Sequence, residues 1–563
     1  MMPPKFFQIG FNKCGTTFIA KLFDLNGIPA VHWAEGALAD DIAYSRLAGR
    51  APLQPWAENT VAFTDMESVR FLNMPIIEAF KEYAFLDASF PDAVFLLNTR
   101  NVDDWVASRY MHWGGSYARS YAANLGVPLA DLADIWTREW HAHIAGCRAH
   151  FAGRSRFLEI DIDTAAPDDY RDALAPWFDL PICPKIPGAG VRKARKAYPA
   201  RLQQMLDAPA AGNGIRPERR ARLVRRLAAF AAPARLSGQG LRRPPTTQAL
   251  RVDLAAGQVR DAEGRPMPFE RGPDGKFYLE AQRFGLLRTA TTLNDMAQVA
   301  HEGVYWLDMQ PAAVTTQSPV IAGLRHHGAQ DVFLWPAPWL HRIGNDGFPG
   351  APKGHDPAFD ERPDLAVWRG GISGHASGDD TKAEDAIATL LARPHDSAKA
   401  LQAAAVIRHS NSWQFVRQHA GKAGTDIGFT GDDRTRRAIA RAGLSTDWHS
   451  DMPLGRYAIS LARSDGDADF LPLADSHAVV LKEEEGSESF ASGVFKPWRH
   501  YIPLALGGAD LDERLDWARA NPDECRQISA RARRICAGLA DPQGRRQHLA
   551  QVLAAYRTAT GQD

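Results

Sequence analysis

Hydrophobic and polar positions follow two alternating patterns in the first part of the chain. Short, nearly continuous apolar runs predict buried β-strands at Lys5–Ile9, Thr60–Thr64, Ala93–Asn98 and Arg156–Ile162. Longer stretches, in which apolar residues recur every three or four positions, predict helices at Thr16–Asn26, Val69–Tyr83 and Asp131–Phe151. Strands that alternate with helices are typical of an α/β domain with a parallel sheet, which we expect over residues 1–200.

The same alternation returns after a change of composition. Between Lys185 and Arg243, 15 Lys/Arg residues stand against 2 Asp/Glu residues, and we interpret residues 201–245 as a basic helical linker. Both a solvated helix face and contact with an anionic acceptor or cofactor fit this charge. A second α/β region is predicted over residues 246–563, with strands at Gly303–Leu307, Asp331–Trp335, Leu365–Trp368, Tyr457–Ala462 and Ala478–Lys482.

Length, charge and cysteine content narrow the classes of function. A chain of 563 residues is long enough for several compact domains. Its 66 Lys+Arg residues balance 66 Asp+Glu residues, so no overall field draws the protein to nucleic acid. The five cysteines form no C-x-x-C pair, which favours a reducing compartment. We find no secretory signal pattern and no apolar run near the ~18 residues of a membrane span, so we expect a cytoplasmic protein that meets soluble or membrane-delivered acceptors.

A glycine-containing loop between the first predicted strand and helix carries the sharpest chemical signal. The segment Gly10–Thr17 reads G-x-x-x-x-G-T-T, and such a loop at a helix N-terminus directs backbone N–H groups and the helix dipole at an anion. Lys13 precedes Gly15, whereas the lysine of an ATP-binding P-loop follows the second glycine. The strand Ala93–Asn98 leads to Thr99-Arg100 and not to a metal-binding carboxylate. We therefore expect a metal-free, doubly cationic phosphate site, which disfavours a P-loop kinase.

These two segments together resemble the sulfotransferases that use 3′-phosphoadenosine 5′-phosphosulfate (PAPS), a family with a P-loop-like parallel sheet. The resemblance implies that Lys13 stabilises the leaving phosphate, and that Arg100 and Ser108 clamp the 3′-phosphate from two sides. It further places Arg192 and Lys193 on a late basic loop that reaches the same phosphate. The 5′-phosphosulfate loop is matched by Gly10, Asn12, Lys13, Gly15, Thr16 and Thr17.

Sulfuryl transfer to a hydroxyl group also needs a general base. Asp65 follows a predicted strand at the position where the family places its base, and Glu67 and His32 are the nearest alternatives. An Asp at that position can also serve as a helix N-cap. Trp136 and Trp140 either line an acceptor cleft or pack in the core, and the second interpretation is the commoner one for an i, i+4 pair.

The second half of the chain resembles glycosyltransferase family 90, which includes protein O-glucosyltransferases and bacterial lipopolysaccharide-modifying enzymes. The resemblance spans Phe277–Tyr556 and is clearest in Arg456–Leu504, which contains Ser476. Upstream, Arg369-Gly370 resembles the family's arginine at a strand end, which would neutralise a UDP-sugar diphosphate without a metal. Asp308 stands where the family has a catalytic aspartate. The implied fold is a two-lobed Rossmann-type, GT-B-like region.

One segment departs from this family and leaves alternatives open. Asp467-Ala468-Asp469 stands where relatives carry Arg or Lys, and Asp465, Asp467 and Asp469 have D-x-D spacing that a metal ion could use. A non-catalytic carbohydrate-binding region is the alternative to an active glycosyltransferase. The combined hypothesis is an enzyme that both sulfates and glycosylates a glycan or glycolipid acceptor, a coupling that rests on the fusion alone.

Overall fold

Three five-stranded sheets form the framework of the part of the chain that the structure describes. The computed structural model describes residues 3–562 except 71–72, 186–197, 208–214, 239, 242, 282–283, 311, 338–355, 375–381, 452, 463–468 and 485. Helices separate most of the strands, so the molecule is α/β, as the hydrophobic pattern predicted.

The first sheet unit contains seven strands and seven helices in its described residues. Its strands are β1 (Phe6–Gln8), β2 (Ala30–His32), β3 (Ala62–Thr64), β4 (Glu67–Ser68), β5 (Ile77–Glu78), β6 (Val94–Thr99) and β7 (Phe157–Asp161). Its helices are α1 (Thr16–Leu25), α2 (Ala37–Ala48), α3 (Tyr83–Ser89), α4 (Val102–Tyr110), α5 (Ser116–Leu125), α6 (Leu132–His150) and α7 (Pro167–Leu174).

The first sheet is parallel throughout and has the order β2-β3-β1-β6-β7. Side chains alternate between its faces, so that Phe6 packs against α1 on one face while Phe7 joins the aromatic core on the other. Both faces are covered, which explains why the strands are nearly continuous apolar runs. The four strands predicted in this part of the chain are confirmed as β1, β3, β6 and β7.

The helix predicted at Val69–Tyr83 is wrong. Here β4 and β5 pair antiparallel, and helix α3 begins only at Tyr83. Pro75 lies in the middle of the predicted helix, where it has no N–H for a helical hydrogen bond and its ring clashes with the preceding turn. The hairpin of β4 and β5 packs on the same core, and its hydrophobic residues happen to have the spacing that was interpreted as a helix.

Two helices follow the first unit, and the second sheet comes next. The helices are α8 (Tyr198–Asp207) and α9 (Pro217–Ala231). The next elements are β8 (Leu250–Asp253), β9 (Gln258–Arg260), β10 (Phe269–Arg271), β11 (Phe277–Leu279), α10 (Leu287–Ala297), β12 (Val304–Asp308), β13 (Val320–Ala322), β14 (Arg325–His326) and β15 (Val332–Leu334). The second sheet has the order β15-β13-β12-β8-β9, in which β12, β13 and β15 are parallel while β8 and β9 are antiparallel.

The third sheet is parallel, with the order β17-β16-β18-β19-β21. Its elements are β16 (Ala366–Gly370), α11 (Ala383–Ala392), α12 (Ala398–His409), α13 (Asn411–His419), β17 (Thr425–Phe429), α14 (Asp433–Arg441), β18 (Tyr457–Ser460), α15 (Phe470–Ala474), β19 (Val479–Glu483), β20 (Ser487–Glu488), β21 (Ile502–Leu504), α16 (Leu511–Ala520), α17 (Pro522–Leu539) and α18 (Pro542–Ala559). The five strands predicted beyond residue 246 are all present.

Helix α18 returns the chain from the third sheet to the second. It packs against α9 and α10, and its Tyr556 hydroxyl group donates to Pro319 and accepts from the backbone N–H of Trp306, each at 3.0 Å. Helix α9 is therefore packed on one side, through Val224 and Leu227, although its other side carries exposed arginines. Within the described ranges, no helix combines the length and the apolar character that crossing a bilayer requires.

Candidate functional site

The carboxyl edge of the first sheet gathers most of the predicted N-terminal site residues. The loop Gly10–Thr17 follows β1, Asp65 follows β3, and Arg100 follows β6. Strand β1 lies between the other two, and open α/β sheets bind ligands at this edge, where connections leave the central strand in opposite directions. We call these three segments the N-terminal site.

Close packing against β6 and α4 fixes the first half of the loop. A Cβ atom on Gly10 would lie 2.6 Å from the backbone oxygen of Asn98, so glycine is required for this approach. The indole N–H of Trp105 donates to the backbone oxygen of Asn12 at 3.0 Å. The side-chain oxygen of Asn12 is buried and has no hydrogen-bond partner among the described residues. A buried amide oxygen in that state is suited to a donor group on a ligand.

The second half of the loop opens helix α1 toward an anion. Lys13 (φ 63°) and Gly15 (φ 85°) both have left-handed backbones. Gly15 precedes Thr16 and Thr17 in the first turn of α1, which has neither a side-chain cap nor an acidic residue. The N–H groups of a first turn lack partners within the helix, and the helix dipole favours negative charge there. The loop can therefore hold a phosphate or sulfate group beside the charge of Lys13.

Arg100 joins the loop to the neighbouring strand. Its side chain is buried, its Nη1 donates to the backbone oxygen of Lys13 at 3.0 Å, and its Nη2 lies 4.0 Å from a carboxylate oxygen of Asp163. Its Nε atom is buried without a hydrogen-bond partner among the described residues. Ser108 is half-buried in α4, which begins just after Arg100. The guanidinium group thus supports the loop and retains a donor for an anion.

Asp65 lies opposite the loop in an environment that favours its protonated form. Its backbone is left-handed (φ 56°) and its N–H donates to the side chain of Gln8 at 3.2 Å. The carboxyl group is 21% exposed. Burial raises its pKa from 3.8 to about 6, although the charges of Lys13 and Arg109 act in the opposite direction. A carboxylate with this pKa can take up a proton near neutral pH.

His32 links Asp65 to the loop. Its Nε2 lies 3.7 Å from Asp65 Oδ2 and 3.4 Å from the hydroxyl oxygen of Thr17, while its Nδ1 lies 2.9 Å from the hydroxyl oxygen of Thr64. Burial and the charge of Lys13 lower the pKa of His32, so the ring is neutral at pH 7. The structure therefore brings two of the three candidate bases to the same site.

Glu67, the third candidate base, faces the core instead. It forms an ion pair with Arg109 at 2.8 Å and accepts a hydrogen bond from the Tyr117 hydroxyl group. The same guanidinium nitrogen of Arg109 also lies 2.5 Å from a carboxylate oxygen of Glu78. Sequence reasoning missed this network, because an arginine within a short helix is usually exposed. Within the described part of the chain, five aromatic rings lie 4.8–5.9 Å from the guanidinium carbon: Phe11, Trp105, Tyr117, Tyr121 and Trp136.

The remaining N-terminal predictions fall into two groups. Trp136 and Trp140 are 0% and 3% exposed and pack in the aromatic core, so the core alternative is confirmed. Arg192 and Lys193 lie outside the described residues, and their role stays a prediction.

Asp308 ends β12 in the middle of the second sheet. Its carboxylate accepts a hydrogen bond from the hydroxyl group of Thr246 at 2.6 Å and another from the backbone N–H of Gln310 at 3.2 Å. The residue is buried. These contacts fix the orientation of the side chain at the carboxyl edge of the sheet, where a catalytic carboxylate of an α/β enzyme is expected.

Arg369 and Gly370 end β16, but the guanidinium group of Arg369 is already engaged. Its Nη2 binds the carboxylate of Asp426 at 2.7 Å, and its other nitrogens donate to backbone oxygens of Trp368, Asp426 and Asp451 at 2.9–3.1 Å. The side chain is 4% exposed. A diphosphate would have to replace one of these acceptors, so Arg369 in this arrangement holds β16 to β17.

Ser476 lies at the amino end of the strands of the third sheet, whereas Arg369 lies at their carboxyl end. It precedes β19, whose first residue is in register with Tyr457 and through it with Ala366, at the start of β16. Its hydroxyl group donates to the backbone oxygen of Leu473 at 2.7 Å. Because a strand rises about 3.3 Å per residue, Ser476 and Arg369 do not contact one phosphate together.

A metal site has no support among the described residues, which contain no group of three His, Cys, Asp or Glu side chains placed to hold an ion. Asp465 and Asp467 of the D-x-D segment lie outside those residues.

Comparison with known proteins finds similarity over short segments of the chain. No protein-family model matches the chain. Protein O-glucosyltransferase 3 is 33% identical over 73 residues in Mus musculus, 13% of this chain and 14% of that protein. The Homo sapiens protein is 30% identical over 87 residues, 16% of this chain and 17% of its own length. An uncharacterised protein, 027R of frog virus 3, is 35% identical over 74 residues, 13% of this chain and 8% of the viral protein. The chain therefore matches less than a fifth of each relative, and the homology indicates a glycosyltransferase-like region.

Proposed function

We propose that the first sheet unit transfers a sulfuryl group from PAPS to a hydroxyl acceptor. The observation that carries this proposal is the convergence of Lys13, Asp65 and Arg100 at one sheet edge, with an arginine where a metal-dependent NTPase has a carboxylate. Two buried atoms support the fit of PAPS to this site. The Nε atom of Arg100 and the side-chain oxygen of Asn12 lack hydrogen-bond partners among the described residues.

Each residue of the N-terminal site has a separate role in this proposal. PAPS supplies an activated sulfuryl group, whose transfer leaves charge on the 5′-phosphate. Lys13 and the first-turn N–H groups of α1 stabilise that charge, which is greatest in the transition state. Arg100 and Ser108 bind the remote 3′-phosphate. Asp65 takes the proton of the acceptor hydroxyl group, and its pKa of about 6 keeps it ionised at pH 7 while still basic enough to act.

The test compares Arg100→Ala with Lys13→Ala in the presence of EDTA. Wild-type protein should bind 3′-phosphoadenosine 5′-phosphate (PAP) more tightly than 5′-AMP in calorimetric titration, and Arg100→Ala should remove the difference. Lys13→Ala should lower turnover more than affinity, by about 10²–10³.

Arg148→Ala is the matched control, because Arg148 pairs with Glu159 on the surface of the same unit. It should retain both the affinity and the turnover of the wild type. Equal affinity of the wild type for PAP and 5′-AMP would contradict the 3′-phosphate assignment.

We further propose that the second and third sheets form a two-lobed glycosyltransferase that uses a UDP-sugar without a metal. The local homology to protein O-glucosyltransferase 3 supports glycosyl transfer, and the fixed carboxylate of Asp308 supports a base at the edge of the second sheet. A glycan or glycolipid acceptor would serve both activities, and a cytoplasmic location stays part of this proposal.

The glycosyltransferase proposal is tested with UDP and a panel of UDP-sugars in EDTA. Asp308→Asn should preserve UDP affinity and abolish sugar transfer, whereas Arg369→Ala should weaken UDP binding. A requirement for Mn²⁺ in UDP binding would instead favour the segment of Asp465 and Asp467.

The engaged guanidinium group of Arg369 favours a second candidate, a non-catalytic carbohydrate-binding region. Oligosaccharide binding without UDP affinity would support this alternative. Binding of UDP with hydrolysis of a UDP-sugar would exclude it.

A further inference from the structure

Two tryptophans lie together beside the N-terminal site. The ring centroids of Trp33 and Trp113 are 5.7 Å apart, with their planes at 57°. Trp113 is 47% exposed, and Trp33 is half-buried. Part of the Trp113 indole is therefore in contact with solvent next to the N-terminal site. We call Trp33 and Trp113 the tryptophan pair.

The backbone that carries the tryptophan pair is strained. Trp33, Ala34 and Glu35 have φ angles of 59°, 47° and 56°, and Trp113 has a φ angle of 49°. Non-glycine residues rarely adopt this region, which is energetically unfavourable for them. Strain of this kind clusters at ligand-binding sites.

A histidine precedes each tryptophan and connects it to the reacting groups. His32 contacts Asp65 and Thr17, as described above, and the backbone N–H of Trp33 donates to the oxygen of Thr64 at 3.0 Å. On the other side, the ring of His112 stacks on Trp113 with centroids 4.4 Å apart. Burial, Lys13 and Arg109 lower the pKa of His112 to about 3, so this ring is neutral and close to the Lys13 charge.

We infer that the tryptophan pair is the acceptor subsite and that it binds a sugar ring of the acceptor by stacking. This inference rests on the proposed sulfuryl transfer and names the residues that would hold a sugar ring of its glycan acceptor. Trp33 directly follows His32, whose ring contacts Asp65 and Thr17, so the pair is next to the proposed base and the loop. A pyranose ring has an apolar face of C–H groups that matches an indole, and hydroxyl groups at its rim that match polar side chains.

Charges of both signs border the pair. Glu35 is exposed and stands two residues after Trp33, while Arg70 donates to the backbone oxygen of Glu35 at 3.0 Å and Arg119 to that of Gly114 at 3.4 Å. Uncharged sugars are therefore the probes whose binding reports on the aromatic rings themselves. The two His-Trp dipeptides, at 32–33 and 112–113, are the sequence signal that could have identified the subsite.

The test measures oligosaccharide binding by calorimetry, with and without saturating PAP. Cellotetraose, xylotetraose and chitotetraose are the probes, since their rings present hydroxyl groups without charge. At least one should bind the wild type, and Trp113→Ala should weaken that binding about 10-fold. Trp113→Phe should recover part of the affinity, because it retains an aromatic face.

Leu25→Ala is the matched control. Leu25 is 50% exposed and belongs to the first sheet unit, but it ends α1 and therefore lies at the opposite end of that helix from the loop. It should leave oligosaccharide affinity unchanged, and all variants should retain the PAP affinity of the wild type, which shows that the unit is folded.

The outcomes separate the subsite from the sulfuryl-transfer proposal. Equal affinity of the wild type and Trp113→Ala for every probe, or failure of all three probes to bind the wild type, would overturn the subsite. Oligosaccharide binding that depends on Trp113 in a protein without PAP affinity would keep the sugar subsite and overturn sulfuryl transfer.

Discussion

At the scale of single residues, the environment of Asp65 decides both its chemistry and its effect on stability. The carboxyl group is largely withdrawn from water, and this raises its pKa to about 6 even though two cations are near. The folded protein therefore binds the Asp65 proton more tightly than the unfolded chain, whose carboxyl group titrates near 3.8. Below that pH both states are protonated. As the pH rises from 3.8 through 6, the unfolded chain loses the Asp65 proton before the folded protein does, and the free energy of unfolding therefore falls.

Asp65→Asn should consequently affect activity and stability in opposite directions. Sulfuryl transfer should fall by about 10²–10⁴, with PAP affinity preserved. The melting temperature should rise above that of the wild type at pH 7.5, and the difference should shrink as the pH falls below 6 and disappear well below pH 3.8, where the wild-type carboxyl group is protonated in both states. Thermal unfolding monitored across this pH range tests the second effect without any acceptor. Unchanged turnover would transfer the role of base to His32.

Sequence reasoning predicted which residues lie at this edge of the first sheet better than it predicted the residues that support them. Lys13, Asp65 and Arg100 each follow a strand of one parallel sheet, so their meeting follows from topology once the strands are assigned. Arg109 was missed, since its burial depends on the aromatic rings and carboxylates that enclose it, which come from distant segments. Ser476 was assigned from a family resemblance, and the register of β19 puts it away from Arg369.

At the scale of elements, the loop Gly10–Thr17 depends on how closely it passes β6. A methyl group on Gly10 would lie 2.6–2.7 Å from the backbone O and N atoms of Asn98, both part of a central strand that cannot move aside. Helices and strands were predictable from the sequence where the spacing of hydrophobic residues was regular over the whole element. The pairing of β4 with β5 and the antiparallel strands β8 and β9 were not, because tertiary contacts decide their conformation.

Gly10→Ala should therefore displace the loop from β6. We expect a loss of about 1–3 kcal/mol in the free energy of unfolding, as for other overpacked sites, and a larger loss of PAP affinity than the stability change alone would cause. Urea denaturation and PAP titration measure the two effects. Gly486→Ala is the control, because a Cβ atom on Gly486 meets no atom within 4 Å. Equal behaviour of the two variants would contradict the close approach.

At the scale of the whole molecule, the first sheet unit is attached to the second by polar contacts and by Met74, which is buried in the core of the second sheet, and α18 joins the second sheet through the same core. Arg50 binds Glu280 at 2.5 Å, and Asn73 binds Asp295 at 3.0 Å across the first junction. Tyr556 is fully buried in the core of the second sheet. This second junction was not predictable, because α18 lies far from the second sheet in the sequence.

Tyr556→Phe tests the second junction with minimal change of shape. The substitution leaves the buried N–H of Trp306 without its acceptor, and an unsatisfied buried donor costs about 1–3 kcal/mol. Chemical denaturation should show this loss. The affinity for PAP should not change, because Tyr556 lies outside the first sheet unit. Wild-type stability of the variant would show that the hydroxyl group is not needed there.

The return of α18 to the second sheet also affects the order in which the protein can fold during its synthesis. The cores on the two faces of the first sheet use buried residues no later than Leu180, so that unit can fold while translation continues. The apolar surface formed by β12, β13 and β15 is complete about 200 residues before α18 emerges from the ribosome. At ribosomal rates of about 5–20 residues per second this interval is about 10–40 s. During that time Tyr305 and Phe333 lack the ring of Tyr556 that packs against both, and exposed apolar surface of this kind is what chaperones bind.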